Sequence, residues 1–311
     1  MAANGRKDRV IGLGVACLDQ LLLWEDAGES VADGRIVDWD MQGGGMIGTG
    51  LVAVARLGGR AELWGVVGSD WIGDAIIAGL QEEGVDTSRV LRPAESRGPM
   101  VTVCVDKPTG ERYLKRAFGF SSSEQPPVRK DRLRSAGCLL VDGMFHGAAM
   151  DAARAAQRLG VPVVGDFGWH TDNTRELVPH VGHAIVSERF ARQIADDLQD
   201  ACEAIRSMGP EHVAVTLGER GLFWLEGDTF GRMDAFPVEV VDTTGAGDVF
   251  HGAYCYALTQ GFELESNLAF ASATAALKCR CLGGRAGIPG RGEVEQFLRD
   301  RGVELRRSDT A

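Results

Sequence analysis

The sequence has 311 residues, 44% of them hydrophobic, and a formal net charge of -11. This length suffices for one large α/β domain or two smaller ones, and because no long linker divides the chain we expect a single domain over residues 1–311. The acidic balance excludes nucleic-acid and anionic-membrane partners, which need a basic face, and no apolar run approaches the roughly 18 residues of a membrane helix, so we expect a cytoplasmic protein.

The first part of the chain alternates short β-branched runs with helical ones. Gly84 lies near the end of the helix predicted at 73–86, where glycine is a preferred C-cap residue. A hairpin after it interrupts the βα rhythm, so we predict a small β lid built from segments 14–43 and 98–119. The predicted elements in this part are two strands within 9–24, a helix at 48–59, a strand at 61–68, a helix at 73–86 and a hairpin at 99–119.

From residue 138 onward, strands and helices alternate regularly. Such alternation predicts a parallel sheet covered by helices on both faces. The predicted elements are strands at 138–143 and 161–167, a helix at 148–160, a strand at 183–187, one long helix at 189–209, a strand at 212–218 and a strand pair within 221–235. The seven cysteines show no CxxC pair and no zinc spacing, so we expect reduced, mostly buried thiols.

The stretch "VEVVDTTGAGDVFHGA" at 238–253 carries the chemistry. We expect a strand to end at Asp242 and a helix to begin at Val249, so that Gly245, Ala246 and Gly247 lie at a helix N-terminus. Unpaired amides and the helix dipole make such a position an anion site. A carboxylate there suits a general base, which predicts that role for Asp248, whereas a helix cap is the structural alternative.

The string "DTTGAGDVFHGA" resembles the signature of the ribokinase, or PfkB, family of carbohydrate kinases. The resemblance covers nearly the whole chain, through "IGLGVACLDQ", "GGMIGTGLVAVARLGG", "WGVVGSDWIGDAIIAGLQEEGVDTSRV", "VTLGERG" and "NLAFASATAALKC". It implies a ribokinase-like α/β fold: a central, mostly parallel sheet with helices on both faces, plus a small β-sheet lid over the active site. It also implies ATP with Mg²⁺ as phosphoryl donor, and a K⁺ ion beside the loop at 282–287.

The family pattern assigns roles to individual residues. Asp248 would be the catalytic base, and Asp242 would support its loop. Gly245, Ala246 and Gly247 would form the anion hole. Acceptor contacts would come from Asp19, Gly44, Gly45 and Thr49, and nucleotide contacts from Thr216, Gly218, Gly221, Thr243, Thr244, Ala275 and Cys279.

Two departures from the family pattern bear on acceptor and metal. Thr49 stands where many members carry an Asn that binds the sugar, and it has no amide. The Asn-x-x-Glu element falls near "AIVSERFA", where Ser187 and Phe190 replace its ends and Glu188 is the candidate metal carboxylate. Together with the string at 242–253, these departures resemble the ketohexokinase and sulfofructose kinase branch, so we expect a ketose acceptor.

A sulfonated ketose would need a cation on the lid side of the pocket. The candidates are Arg35, Arg112, Lys115 and Arg116, and the alternative for each is a solvated surface charge. Asp166 is expected either to reach nucleotide phosphates or Mg²⁺ through water, or to cap the next turn. His251 is expected to pack or hydrogen-bond.

Other functions remain open. A kinase of ribose, 2-keto-3-deoxygluconate, a nucleoside or a pyridoxal-type acceptor would use the same fold, and a non-catalytic sugar or nucleotide sensor would keep it. A Rossmann dehydrogenase is excluded because "GLGVACLD" lacks the third glycine and the following helix. Apolar surface on the lid would indicate a homodimer through it.

Overall fold

The computed structural model describes residues 7–25, 35–106, 112–121 and 123–308. Its strands are Arg9–Leu13 (β1), Cys17–Glu25 (β2), Arg35–Gly44 (β3), Arg60–Trp64 (β4), Arg97–Asp106 (β5), Arg112–Gly119 (β6), Cys138–Val141 (β7), Val163–Phe167 (β8), His183–Ser187 (β9), His212–Thr216 (β10), Leu222–Glu226 (β11) and Thr229–Met233 (β12). Its α-helices are Met46–Arg56 (α1), Trp71–Glu82 (α2), Lys130–Leu133 (α3), His146–Arg158 (α4), Asp172–Leu177 (α5), Glu188–Arg192 (α6), Leu198–Ser207 (α7), Ala246–Thr259 (α8), Leu264–Lys278 (α9) and Arg291–Arg299 (α10).

The main sheet has eight strands in the order β12-β11-β10-β9-β8-β7-β1-β4. The six strands from β10 to β4 pair in parallel, and β11 and β12 add an antiparallel edge. Parallel strands need helical crossovers, which cover both faces of the sheet. The predicted α/β class and mostly parallel sheet are confirmed.

Alternating side chains of the parallel strands enter two separate cores. On one face, Leu140 and Ile185 pack against α1, α8 and α9. The large buried side chains of these helices include Tyr254 and Phe270. On the other face, Leu139 packs with α4 and its neighbours, as part of a cluster that also contains Phe145, Phe167, Phe190 and Ile205. The sheet is therefore buried on both sides, as the unbroken apolar strands predict.

The smaller sheet has four strands in the order β3-β2-β5-β6. β2 pairs with β5 in parallel, and β3 and β6 pair antiparallel at the two edges. These strands fall in the two segments expected to form the lid. The predicted hairpin is β5 and β6, and its turn at 107–111 lies outside the described residues. Within the part of the chain that is described, no helix is long and apolar enough to cross a membrane.

Two predicted elements are wrong. The single helix expected at 189–209 is two helices, because the Asp197 carboxylate accepts hydrogen bonds from the Gln199 and Asp200 amides and so begins α7 anew. The strand expected to end at Asp242 is irregular backbone with exposed Val240 and Val241. It runs along α9 instead of joining a sheet, since the Val241 amide donates to Cys279 O at 2.8 Å.

Candidate active site

The glycine-rich loop leads directly into a helix. Gly245 takes φ +72°, and α8 begins at Ala246, three residues before the predicted start. A side chain at Gly245 would be strained at this φ, and its Cβ would lie 3.0 Å from Gly284 O. The amides of Ala246, Gly247 and Asp248 are therefore the first of the helix, where backbone donors lack intrahelical partners.

Asp242 holds the loop that precedes this helix. Its Oδ1 accepts hydrogen bonds from the Thr244 amide at 2.9 Å and the Thr244 hydroxyl at 2.8 Å, and its Oδ2 accepts one from the Gly283 amide at 2.8 Å. Burial alone would raise the pKa of Asp242, but the bonds from Thr244 and Gly283 outweigh it and lower the pKa. The buried Lys278 ammonium donates to Asp242 O at 3.0 Å. The loop is thus fixed by an ionised carboxylate and a neighbouring cation.

Asp248 lies in the first turn of α8, beside a second acid. Burial first, and then the negative charge of Asp166, raise the pKa of Asp248 to about 7 against the opposing effect of His251. His251 Nδ1 lies 2.7 Å from Gly247 O and 3.4 Å from Asp166 Oδ2, and its Nε2 lies 3.1 Å from Ile185 O. His251 therefore packs and hydrogen-bonds, as expected. A carboxylate with a pKa near neutrality is suited to exchange a proton.

Asp19 of β2 occupies the facing wall. Its Oδ1 accepts a hydrogen bond from Cys17 Sγ at 3.1 Å. Burial raises the pKa of Asp19, opposed by this bond and by the charge of Arg285. A Cβ at Gly44 would lie 2.1 Å from Asp19 Oδ2, so the absence of a side chain at Gly44 makes room for the carboxylate.

Glycines bring α1 and α8 into backbone contact behind this site. A Cβ at Gly252 would lie 2.0 Å from Gly50 O, and a Cβ at Gly50 would lie 3.2 Å from Asp248 O. Thr49 precedes Gly50 in α1 and is buried. The crossing therefore sets the position of α1, which carries Thr49, relative to Asp248.

Two residues at the site were not found from the sequence. Asp142 follows β7 and accepts hydrogen bonds at 2.8 Å from the Val15 and Met144 amides, which fixes the turn between β1 and β2. Burial raises the pKa of Asp142 to about 7. Its position just past the end of β7 was the available signal.

Arg285 is the other residue that the sequence analysis missed. Its Nε donates to Thr49 Oγ1 at 3.4 Å, and its Nη2 donates to Gly44 O at 2.7 Å. The partners lie more than 230 residues away in sequence, so no local pattern indicates the contact.

The predicted nucleotide residues line two loops and one helix. Gly218 and Gly221 flank the turn after β10 with φ values of +60° and +82°, and a Cβ at Gly221 would lie 1.9 Å from Met233 O. Thr216 Oγ1 donates to Val186 O at 3.3 Å. Ala275 lies half-buried in α9, and the Cys279 carbonyl that follows it accepts the Val241 and Asp242 amides. Cys279 therefore supports the anion loop through its backbone.

Glu188 is held by two arginines. Its Oε2 accepts from Arg220, and its Oε1 accepts from Arg192 Nε at 2.8 Å. These bonds, Arg220 first, lower the pKa of Glu188. Both carboxylate oxygens are thus engaged, which leaves Glu188 poorly placed to bind a metal directly.

The described residues contain no group of three or more His, Cys, Asp or Glu that could hold a metal ion alone. Mg²⁺ in nucleotide sites is usually held by one or two carboxylates together with phosphate oxygens and water. Asp166 meets that need, because its buried Oδ2 makes no hydrogen bond with any described residue, with His251 Nδ1 3.4 Å away. The expected capping role does not apply to Asp166, since Thr171 caps the next helix.

The lid cations lie apart from this centre. Arg35 is 77% exposed and lies 3.8 Å from Glu25. Lys115 and Arg116 are exposed on β6, and the side chain of Arg112 lies outside the described residues. Burial and the charge of Arg116 lower the pKa of Arg189 on α6.

Comparison with known proteins identifies the family of this chain. Residues 23–291 match the model of the pfkB family carbohydrate kinases. The ribokinase of Bacillus subtilis is 26% identical over 251 residues, which cover 79% of this chain and 84% of the relative. The nucleoside kinase of Methanothermobacter thermautotrophicus is 28% identical over 274 residues, which cover 85% and 87%.

Solved structures match almost the whole chain. A putative ribokinase from Agrobacterium tumefaciens superimposes with a TM-score of 0.89 at 30% identity, covering 94% of this chain and 98% of that one. Arabidopsis thaliana ribokinase complexed with ribose and ATP gives 0.83 at 23% identity, covering 94% and 99%. A putative ribokinase II from E. coli in complex with ATP and Mg²⁺ gives 0.81 at 20% identity, covering 94% and 99%. The last two matches show the fold.

Proposed function

The chain belongs to the pfkB family of carbohydrate kinases, a phosphotransferase family with alcohol acceptors, and from this premise we propose that it transfers the γ-phosphoryl group of ATP to a hydroxyl of a ketose-type sugar. The observation that carries the proposal is the placement of Asp248. Its carboxylate shares the first turn of α8 with the amides of the glycine loop, of which the Ala246 amide donates to Thr243 O at 3.2 Å, and it faces Asp19 across the cleft. A base and an anion hole on one turn are what phosphoryl transfer to an alcohol requires.

In the proposed reaction, Asp248 accepts the proton of the attacking hydroxyl. Its raised pKa makes it a stronger base than an exposed aspartate, and neutralisation on proton uptake removes a buried charge. The amides of Gly245 and Gly247 stabilise negative charge on the transferring phosphoryl oxygens, whereas the Ala246 amide is engaged by Thr243 O. Asp19 binds acceptor hydroxyls and so orients the one that reacts.

ATP with Mg²⁺ is the proposed donor, in keeping with the ligands named for the Arabidopsis and E. coli structures. Mg²⁺ supplies charge neutralisation on the phosphate oxygens when it is bound. We propose Asp166 as the carboxylate that faces it, and Glu188 as a neighbour held by Arg192 and Arg220. Asp166→Asn should therefore raise the Mg²⁺ concentration needed for half of the maximal rate more than Glu188→Gln does.

A monovalent cation is the remaining cofactor. The loop at 282–287 lies beside the anion hole, and a K⁺ ion there would make the electrostatic potential at the anion hole more positive. Lys278 already directs an ammonium group to Asp242 O at 3.0 Å, so the chain carries a fixed cation of its own at this loop. Rates in chloride salts of K⁺, Na⁺ and choline test the requirement: a K⁺-specific rise supports the ion, and equal rates assign its role to Lys278.

The test of function is ADP release from Mg-ATP with a panel of acceptors: fructose, 6-deoxy-6-sulfofructose, 2-keto-3-deoxygluconate, ribose and adenosine. A dominant ketose supports the proposal, and ribose or a nucleoside would shift it to the reactions named for the relatives. Asp248→Asn should lose at least ~100-fold in kcat while keeping ATP binding, and the exposed Asp172→Asn should change neither. ATP binding without turnover on any acceptor would favour a sensor.

We also propose that a second copy of the chain covers the lid. Trp39, Leu22, Cys104 and Tyr113 are direct cross-strand neighbours and so share one face across all four strands. The two ends of this row are exposed, Trp39 by 66%. Light scattering of the protein and of Trp39→Lys tests this: a dimer that the substitution dissociates supports it, and a monomeric parent protein contradicts it.

A further inference from the structure

The guanidinium of Arg285 is buried in the candidate site and has no ionic partner among the residues that the structure describes. Arg285 is 7% exposed, and its Nε and Nη2 donate hydrogen bonds to the neutral oxygens of Thr49 and Gly44. Its Nη1 makes no hydrogen bond with any residue that the structure describes. Buried guanidinium groups are normally neutralised as well as hydrogen-bonded, because desolvating an unpaired charge is costly.

The nearby acids do not supply that partner. Within the described ranges, no acidic side chain forms an ion pair with Arg285, although its charge opposes the rise in the pKa of Asp19 and of Asp248. Burial also lowers the pKa of Arg285 itself. The positive charge is therefore left to be balanced by something that enters the cleft.

The surrounding backbone is shaped to hold the guanidinium in place. A Cβ at Gly43 would lie 1.9 Å from Nη1, and a Cβ at Gly48 would lie 2.7 Å from Nη2, so both glycines make room for it. Behind it, Arg56 Nη1 donates to Arg285 O at 2.8 Å, and Glu83 fixes Arg56 through hydrogen bonds of 2.8 and 2.6 Å. A braced arginine of this kind loses little entropy when it binds a ligand.

We propose that Arg285 binds an anionic oxygen group of the acceptor, a carboxylate or a sulfonate, and so makes this kinase select an acidic sugar over a neutral one. The inference rests on the proposed function and narrows its substrate class. A planar guanidinium matches two oxygens of such a group. The acceptor, and not the nucleotide, is the partner, because both hydrogen bonds that the Arg285 guanidinium makes with described residues lead to Gly44 and Thr49, the residues proposed to contact the acceptor.

The test compares the parent protein with Arg285→Gln and Arg285→Lys, using Arg280→Gln as the matched control because Arg280 is 55% exposed in the same turn. For each variant, kcat/KM is measured with fructose, 6-deoxy-6-sulfofructose and 2-keto-3-deoxygluconate. The parent should prefer one of the two anionic sugars. Arg285→Gln should lose ~10- to 100-fold on that sugar and under about threefold on fructose, the range of a charge-assisted hydrogen bond.

A second measurement does not depend on turnover. The preferred anionic sugar, without ATP, should raise the melting temperature of the parent and of Arg280→Gln but not of Arg285→Gln. Arg285→Lys keeps the positive charge but not the paired N–H groups of the guanidinium, so the shift in its melting temperature should be smaller than that of the parent but not absent. Where Arg285→Gln does not fold, Arg285→Lys is used in its place.

The outcomes separate the two proposals. Equal losses on neutral and anionic sugars would overturn the inference and place Arg285 on the phosphoryl side, while the kinase function stands. A parent protein that prefers fructose would overturn it too. No ADP release with any acceptor would contradict the proposed function, and the melting shifts would then still decide whether Arg285 binds the anion.

Discussion

The contact between α1 and α8 gives the sharpest test of how the fold positions the site. Gly252→Ala would place a Cβ 2.0 Å from Gly50 O and 2.7 Å from Gly50 C. Both are backbone atoms, so no side chain can turn aside, and the two helices must separate. Thr49 and Asp248 lie at this crossing, so the acceptor wall and the base should move apart with them.

The expected cost combines two opposing effects. Overpacking a close contact costs about 1–3 kcal/mol, and a backbone clash of this depth belongs at the upper end. Alanine is favoured over glycine inside a helix by about 1 kcal/mol. The net loss is about 2 kcal/mol, or roughly 4 °C in Tm for a chain of this size. A displacement of about 1 Å at a reacting centre costs on the order of 100-fold in rate.

The assay is a melting curve together with kcat/KM in the same buffer. Gly79→Ala is the matched control, because Gly79 lies inside α2 with no atom within 4 Å of its Cβ position. That variant should be stabilised by about 1 kcal/mol and should keep full activity. The reasoning would be refuted by a Gly252→Ala protein with the melting temperature and kcat/KM of the parent.

Three further predictions concern charge and capping. The pKa of Asp248 is raised to about 7, so kcat/KM should rise with pH through neutrality. A raised carboxyl pKa also lowers the stability of the folded protein as the pH rises toward it, because the buried carboxylate loses its proton. In urea titrations, Asp248→Asn should therefore be more stable relative to the parent at pH 8 than it is at pH 5. Arg132→Met should lose about 3 kcal/mol in urea unfolding, since it leaves the fully buried Glu62 with a more distant cation; unchanged stability would contradict this. Asp197→Ala should lose about 1 kcal/mol in the same assay through its cap, with the exposed Asp172→Ala as control.

The sequence determined the elements whose signals are local. Apolar runs flanked by turn residues predicted the strands of the main sheet, and the glycine loop with Asp248 predicted a helix N-terminus with an anion site. The position just past a strand end that the sequence indicated for Asp166 is wrong by a small margin, because Asp166 is the next-to-last residue of β8. Such patterns depend on neighbours within a few residues, so a chain read in order contains them.

Tertiary structure decided what depends on contacts between distant segments. The expected strand before Asp242 does not form, because its amides are taken by Cys279 O on another helix. Glu188 is engaged by Arg220, which arrives from the turn after β10. Arg285 reaches Gly44 across 241 residues, and its burial follows from the packing of three separate segments. The charge balance of the cleft was therefore outside the reach of any local pattern, since desolvation and Coulomb interactions depend on distances that only the folded chain defines.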